Sequence, residues 1–193
     1  MDLKHYIRVY DDSLESQHCA RLIAFFESQR AAHFRNGRDR RGGLEDSAWT
    51  ELNLSRMLDP PSMLFFRRLI DSALERYNRS VQLPIAVPNS PLLSPLILKR
   101  YSARDGDSFQ LHFDSIYDVS DRYLVFLWYL NDVDVEGGTR FPHLDLTVAP
   151  KAGRLLMFPP YWMYQHQGLP SPRQDKYILS TYLRFPRLAQ STV

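Results

Sequence analysis

Apolar residues recur at helical spacing early in the chain and at alternate positions later. Leu14, Cys19, Leu22, Ile23 and Phe26 share one face of a predicted helix that runs to about Arg30. Ahead of it, Asp12-Ser13-Leu14-Glu15 has the form of a capping box, an acid at the N-cap with Glu three positions on. A second helix is predicted from Pro60-Pro61, because proline in a first turn forfeits no helical hydrogen bond. Met63, Phe66, Leu69, Ile70, Ala73 and Tyr77 form its apolar face. Between the helices, the basic, glycine-containing stretch from Asn36 to Ser47 is a candidate mobile loop or lid.

From Ser94 the period shortens to two. Strands are predicted over Leu96 to Tyr101, Phe109 to Phe113, Arg122 to Leu130, Thr139 to Phe141, Leu146 to Val148, Arg154 to Phe158 and Lys176 to Leu183. A further aromatic-rich strand is predicted at Tyr161 to Tyr164. The stretch from Arg122 to Leu130 is apolar almost throughout, so both its faces are expected to be buried. About eight short strands between turns imply a sandwich, jelly roll or barrel. The helices come first, in about residues 1–90, and the strands follow in about 94–184. The expectation is a mainly β fold with N-terminal helices buttressing one outer face, in a single domain covering 1–193.

Composition changes this picture little. A chain of 193 residues suits one domain with a substantial core. The 44% hydrophobic and 24% charged content is that of an ordinary globular protein, and a net charge of +2 is no argument for a nucleic-acid partner. The one local exception, Arg35-Asn36-Gly37-Arg38-Asp39-Arg40-Arg41, reads first as a solvated loop. The one cysteine, Cys19, allows no intrachain disulfide and sits on a core-facing helical position. No apolar run has the length of a signal peptide or a membrane span, so no membrane partner is expected and the cytoplasm is the expected location. The tail from Arg184 to Val193 reads as disordered or as an interface.

The chemistry lies at strand ends. In Ser108-Phe109-Gln110-Leu111-His112-Phe113-Asp114, His112 and Asp114 are two apart, and such residues on a strand point to the same side. His-x-Asp is common by chance, and alone it reads as a surface histidine near an acid. His166 is the other histidine at a strand end in the β region; His5, His18 and His33 fall in the helical part and His143 in a turn. Two imidazoles and one carboxylate are the ligand set of a non-haem Fe(II) facial triad, which leaves positions open for substrate and oxygen. Ten residues beyond His166, Lys176 opens the last strand, where alternation places Lys176, Ile178, Ser180 and Tyr182 on one face. A buried, unpaired ammonium is costly, so an inward Lys176 implies an anion inside. Tyr129 is expected on one face with Tyr123, Val125 and Leu127, and its hydroxyl needs a partner if buried. Lys176, Ser180 and Tyr129 could together hold one carboxylate. The plainer alternative puts Lys176 at a solvated strand end.

Taken in series, Arg100-Tyr101, His112-x-Asp114, Tyr129-Leu130-Asn131-Asp132, Glu136-Gly137-Gly138-Thr139-Arg140-Phe141-Pro142, Pro150-Lys151-Ala152-Gly153-Arg154-Leu155-Leu156-Met157-Phe158, His166 and Lys176 resemble the 2-oxoglutarate and Fe(II)-dependent dioxygenases, in their prolyl 4-hydroxylase-like branch. The resemblance spans about Leu96 to Leu183. It implies a double-stranded β-helix (a cupin-like jelly roll) with Fe(II) on His112, Asp114 and His166. It implies 2-oxoglutarate chelating the metal, with its far carboxylate on Lys176 assisted by Tyr129 and Ser180, and Tyr101 lining that pocket. The implied reaction consumes O2, releases succinate and CO2 and hydroxylates an unactivated C–H bond, with ascorbate as a stimulant. The chain departs from its relatives in a short segment after Asp114, Ser115 to Ser120, with no evident peptide-binding insertion, and in the aromatic bulk before His166. The implied substrate is a prolyl or peptidyl group, a free amino acid or a small metabolite. The alternatives are a non-catalytic iron- and 2-oxoglutarate-binding sensor, and a nucleic-acid demethylase, whose relatives usually hold 2-oxoglutarate with arginine.

Overall fold

A computed structural model describes residues 2–38, 40 and 43–186. Asp39 and Arg41 of the basic segment, and the tail from Arg187 on, lie outside the described residues. Among the described residues, eleven strands form two antiparallel sheets: β1 (Arg8–Tyr10), β2 (Phe34–Gly37), β3 (Ala48–Asn53), β4 (Ile97–Tyr101), β5 (Phe109–His112), β6 (Arg122–Tyr129), β7 (Thr139–Phe141), β8 (Leu146–Val148), β9 (Leu155–Phe158), β10 (His166–Gly168) and β11 (Lys176–Arg184). The major sheet has the order β1-β9-β6-β11-β4-β3-β2 and the minor sheet β5-β10-β7-β8. The α-helices α1 (Ser16–Ser28) and α2 (Pro60–Val81) cover the outer face of the major sheet.

The division into a helical first part and a β-rich remainder is corrected: β1, β2 and β3 all fall before residue 90 and extend the major sheet at both edges. The stretch read as a loop or lid begins in a strand, and its other described residues form the loop that joins β2 to its antiparallel partner β3. Asn36 and Gly37 belong to β2, and the Arg38 N–H donates to the Ser47 carbonyl just before β3. Gly37 has a φ of +102°, and a Cβ there would lie 2.1 Å from the Ser47 carbonyl oxygen, so the turn requires glycine. Arg35 is not free in solvent; its guanidinium grips the buried Asp107 at 2.5 and 2.6 Å and ties β2 to the β4–β5 loop.

The helices start differently. α2 begins at Pro60 as expected, with the Asp59 carboxylate accepting from the Ser62 N–H at 2.9 Å. The capping box at Asp12 does not form. Asp12 is left-handed, the N–H groups of Ser13 and Leu14 both donate to the Gly153 carbonyl, and α1 begins only after Glu15. A tertiary contact to the turn before β9 has overridden the local signal.

One apolar cluster joins Cys19 and Phe26 of α1 and Phe66, Ile70 and Tyr77 of α2 to Leu98, Phe126, Trp128, Met157 and Leu179 of the sheet. The other lies between the sheets and includes Tyr101, Val125, Tyr129, Phe141, Phe158 and Ile178. Among the described residues no helix is long and apolar enough to cross a membrane.

Candidate active site

Strand pairing brings the distant histidines together. His166 on β10 is the direct antiparallel partner of His112 on β5, and their ring centroids lie 4.3 Å apart. The segment predicted as a strand at Tyr161 to Tyr164 is instead a tight helical turn, Trp162–Tyr164, and the strand follows at His166. Pro159 and Pro160 explain the shift, since neither can donate to a ladder. The Pro160 carbonyl instead accepts the N–H groups of Asp114 and Ser115, both at 3.0 Å, which ties the approach to His166 against the Asp114 loop.

His112, Asp114 and His166 are the one group of metal-ligating type found among the described residues, with ligand atoms all within 4.8 Å of one another. The Nε2 atoms of His112 and His166 each lie 3.5 Å from a different Asp114 oxygen. Each ring donates its Nδ1–H to a backbone carbonyl, His112 to Gln110 at 2.7 Å and His166 to Tyr164 at 3.0 Å. A carbonyl can only accept, so both Nε2 lone pairs are left facing the carboxylate, the tautomer a metal needs. Burial, with the nearby His112, lowers the His166 pKa to about 4, so its Nε2 is unprotonated at neutral pH. Burial pushes the Asp114 carboxyl up, but the two histidines outweigh it and hold the group well below the usual carboxylate range. The donor set, its tautomers and its single negative charge fit Fe(II).

The triad opens on a cavity of about 280 Å³ between the sheets. Lys176, Ser180, Tyr129 and Tyr101 all line it, so alternation placed the last strand correctly. Lys176 is 2% exposed, which removes the solvated strand-end alternative. Its ammonium donates to the carbonyls of Gly137 and Leu169, both at 2.7 Å, and burial lowers its pKa to about 7. No carboxylate lies against it among the described ion pairs. The Nζ also sits 4.8 Å from the Tyr101 ring centroid. The Tyr129 hydroxyl donates to Thr139 Oγ1 at 2.6 Å, which adds Thr139 to the polar end of the cavity.

One expectation fails on this wall. Tyr123 does not share the cavity face with Val125, Leu127 and Tyr129; it packs on the helix side and donates to the Pro88 carbonyl at 2.7 Å. A bulge is the cause: Leu183 pairs with Leu124 and Arg184 with Arg122, so Tyr123 has no partner on β11 and the alternation is broken there. The same bulge turns Arg122 into the cavity wall. Its guanidinium carbon lies 4.0 Å from the Tyr182 ring centroid and its Nη1 donates to the Asp114 carbonyl at 3.3 Å. Tyr182, in turn, donates its hydroxyl to Asp114 Oδ1 at 3.1 Å. Burial and the Asp114 charge hold the Tyr182 pKa well above its ordinary value, so it remains a donor. Sequence reasoning placed Tyr182 on the right face but gave it no role; its spacing from Lys176 was the available signal. Nothing in the sequence announced the bulge that aims Arg122.

Residues 96–184 match the family model of the 2OG-Fe(II) oxygenase superfamily. No curated protein matches the chain by sequence. Among solved structures, the chain is similar to a prolyl-4-hydroxylase of Pseudomonas putida, at 20% identity and TM-score 0.67, with 96% of each chain covered. It is similar to the viral collagen prolyl hydroxylase vCPH of Paramecium Bursaria Chlorella virus-1 in its 2OG complex, at 19% identity and TM-score 0.65, covering 94% of this chain and 97% of that one. A prolyl hydroxylase from Trichoplax adhaerens, in complex with a hypoxia inducible factor oxygen degradation domain peptide fragment, aligns with TM-score 0.72 at 15% identity over 93% of this chain and 84% of that one. These likenesses establish the double-stranded β-helix fold. The matched residues include the His-Asp-His cluster and Lys176, and the match together with that cluster supports Fe(II), 2-oxoglutarate and O2 as metal and co-substrates.

Proposed function

We propose that residues 1–193 work as one 2-oxoglutarate-dependent hydroxylase domain, in which His112, Asp114 and His166 hold Fe(II) and Lys176 holds the far carboxylate of 2-oxoglutarate. The observation that carries the reading is the buried Lys176 ammonium. It faces the same cavity as the triad, and among the described residues its hydrogen-bond partners are carbonyls. A charge-assisted bond to a carboxylate there would fix the co-substrate's direction. Ser180 and Tyr101 line that end, and Tyr129 with Thr139 closes it. When bound, the metal and 2-oxoglutarate supply the oxidising chemistry that hydroxylates a C–H bond and releases succinate and CO2.

The chain's own groups orient and shield. The Nδ1–H bonds fix both imidazole rings, and Tyr182 and Arg122 hold the Asp114 side chain and backbone. Phe109, Phe141 and Phe158 pack around the histidines and keep water from their apolar sides. The substrate is proposed as a prolyl or peptidyl group, a free amino acid or a small metabolite, met in a reducing compartment such as the cytoplasm. The test is Fe(II)- and 2-oxoglutarate-dependent succinate release by the purified protein, with ascorbate present. His166→Ala and Asp114→Ala are each expected to abolish it while the fold is retained by circular dichroism. Full turnover in either folded variant overturns the assignment.

A further inference from the structure

Asn131 belongs to the stretch Tyr129-Leu130-Asn131-Asp132, yet it lies outside the cavity that Tyr129 and the other site residues line. It stands where the chain of β6 parts from β11. The ladder between these strands runs from Arg184 back to Ile178, which pairs with Tyr129. One more backbone bond follows, from the Leu130 N–H to the Tyr177 carbonyl at 2.9 Å. Beyond it the backbone turns to another partner, and the Val133 N–H donates to the Pro150 carbonyl at 3.3 Å. Continued in register, the ladder would set Asn131 opposite Lys176. There the side-chain amide takes the place of backbone. Asn131 Nδ2 donates to the Asp175 carbonyl at 2.8 Å, and Oδ1 accepts from the Tyr177 N–H at 2.9 Å.

These two bonds hold the backbone groups on either side of Lys176. A carbonyl only accepts and an N–H only donates, so the amide fits one way round. On the opposite edge of β11, Lys176 pairs with Tyr101 of β4. Lys176 is the first residue of its strand, and chain ends that are not tied down open readily. Its neighbour turns the other way: the Tyr177 hydroxyl donates to Glu27 of α1 at 2.8 Å. A slip of one residue would exchange the two and send the ammonium to the helix side. The carbonyls of Gly137 and Leu169 hold the Nζ, but they do so at the far end of a flexible stem. They aim the ammonium only if the backbone beneath it is already in place.

We propose that Asn131 is a positioning residue: its amide completes the ladder at the open end of β11 and so aims Lys176 at the far carboxylate of 2-oxoglutarate. The inference rests on the reading of Lys176 given above and adds to it a residue outside the cavity.

The test compares 2-oxoglutarate with 2-oxopentanoate, which keeps the keto acid and carries a methyl group in place of the far carboxylate. Each is titrated under argon into the full chain loaded with Co(II), and binding is followed by calorimetry and, where weak, by the Co(II) absorption spectrum. The parent is expected to prefer 2-oxoglutarate strongly. Asn131→Leu, similar in size, deletes both bonds and should weaken 2-oxoglutarate about tenfold. Its affinities for 2-oxopentanoate and for Co(II) should stay within about twofold of the parent's. Asn131→Asp keeps the acceptor for the Tyr177 N–H and should lose less; it carries the same comparison if the leucine variant does not fold. In a Lys176→Met background, Asn131→Leu should cost 2-oxoglutarate nothing further, because the group it positions is gone. General loosening of the fold would weaken both keto acids alike and would add to the loss in the double variant. Either of those results, or an unchanged affinity for 2-oxoglutarate in a folded Asn131 variant, overturns the inference. If Lys176→Met abolishes the preference for 2-oxoglutarate while the Asn131 variants retain it in full, the inference alone falls. If Lys176→Met itself leaves that preference intact, the far carboxylate is held elsewhere and the reading of Lys176 falls with it.

Discussion

On β11, Leu179 and Leu183 turn toward the helices, while Lys176, Ile178, Ser180 and Tyr182 turn toward the cavity. The same division runs through β6, where Phe126 and Trp128 meet α1 and α2 and Val125, Leu127 and Tyr129 face inward. One strand thus serves two layers with different chemistry. The helix-facing layer is almost wholly apolar, and its energy scales with the area it removes from water. The cavity-facing layer also buries an ammonium, that of Lys176, and the hydroxyls of Ser180 and Thr139, which a core does not need. Groups of that kind cost stability unless they are bonded, so their presence points to what the inner layer must hold. An apolar residue on the outer layer carries no such information.

Substitutions on the two layers should therefore separate stability from binding. The largest stability effect is expected outside. Leu179 is fully buried under the helices, and Leu179→Ala should cost about 2–5 kcal/mol for lost burial and the cavity left behind. Denaturant unfolding measures it, and the Michaelis constant for 2-oxoglutarate should stay near that of the parent wherever the variant is folded. Three positions earlier, Lys176→Met should act in the opposite sense. It removes a buried charge, so the melting temperature should rise by about 2–4 °C per kcal/mol gained at this chain length. Its Michaelis constant for 2-oxoglutarate should rise at least a hundredfold, while metal affinity changes little. A destabilised Lys176→Met with unchanged kinetics would reverse the contrast between the layers.

The contrast also explains how much could be read in advance. Period-two alternation from Lys176 to Tyr182 is a local property, and it placed four inward residues correctly. The order of His112, Asp114, His166 and Lys176 along the chain resembled a family closely enough to imply the cavity. What escaped depends on contacts between distant segments. β1 and β3 are strands because the sheet edges beside β9 and β4 accept them, and three residues such as Arg8-Val9-Tyr10 carry no periodic signal of their own. The box at Asp12 lost to the Gly153 carbonyl. The bulge at Tyr123 is one unpaired residue in an otherwise regular ladder, yet it reverses which of Arg122 and Tyr123 reaches the site.

Tyr182 sharpens the comparison at a smaller scale, because its value lies in one hydroxyl. Tyr182→Phe keeps the ring under Arg122 and deletes only the bond to Asp114 Oδ1. Groups that orient a metal-bound carboxylate typically affect metal affinity by 10–100-fold, and the loss of this one bond is expected at about the lower figure. A Co(II) titration measures it directly. Equal affinity in the parent and the variant would show that the backbone alone holds Asp114.

The smallest effect is a pH dependence, and it comes from the inner layer alone. Burial lowers the Lys176 pKa to about 7, so in the empty cavity the amine is half protonated at that pH. The far carboxylate of 2-oxoglutarate binds the protonated form. Below pH 7 the ammonium is already present and affinity should be flat. Above pH 7 binding must draw a proton from solution, and the dissociation constant should rise, by about fivefold between pH 7 and pH 8 and toward tenfold per unit beyond. Calorimetry in two buffers of different ionisation heat reads the proton directly, with uptake growing from near zero at pH 6 toward one at pH 8.5. Lys176→Arg should bind with no such slope, because guanidinium stays charged throughout. The carbonyls of Gly137 and Leu169 oppose the burial by accepting from the ammonium. An affinity in the parent chain that is flat to pH 9 would mean that these two acceptors keep Lys176 charged without an anion, and that the inner layer tolerates its cation for structural reasons after all.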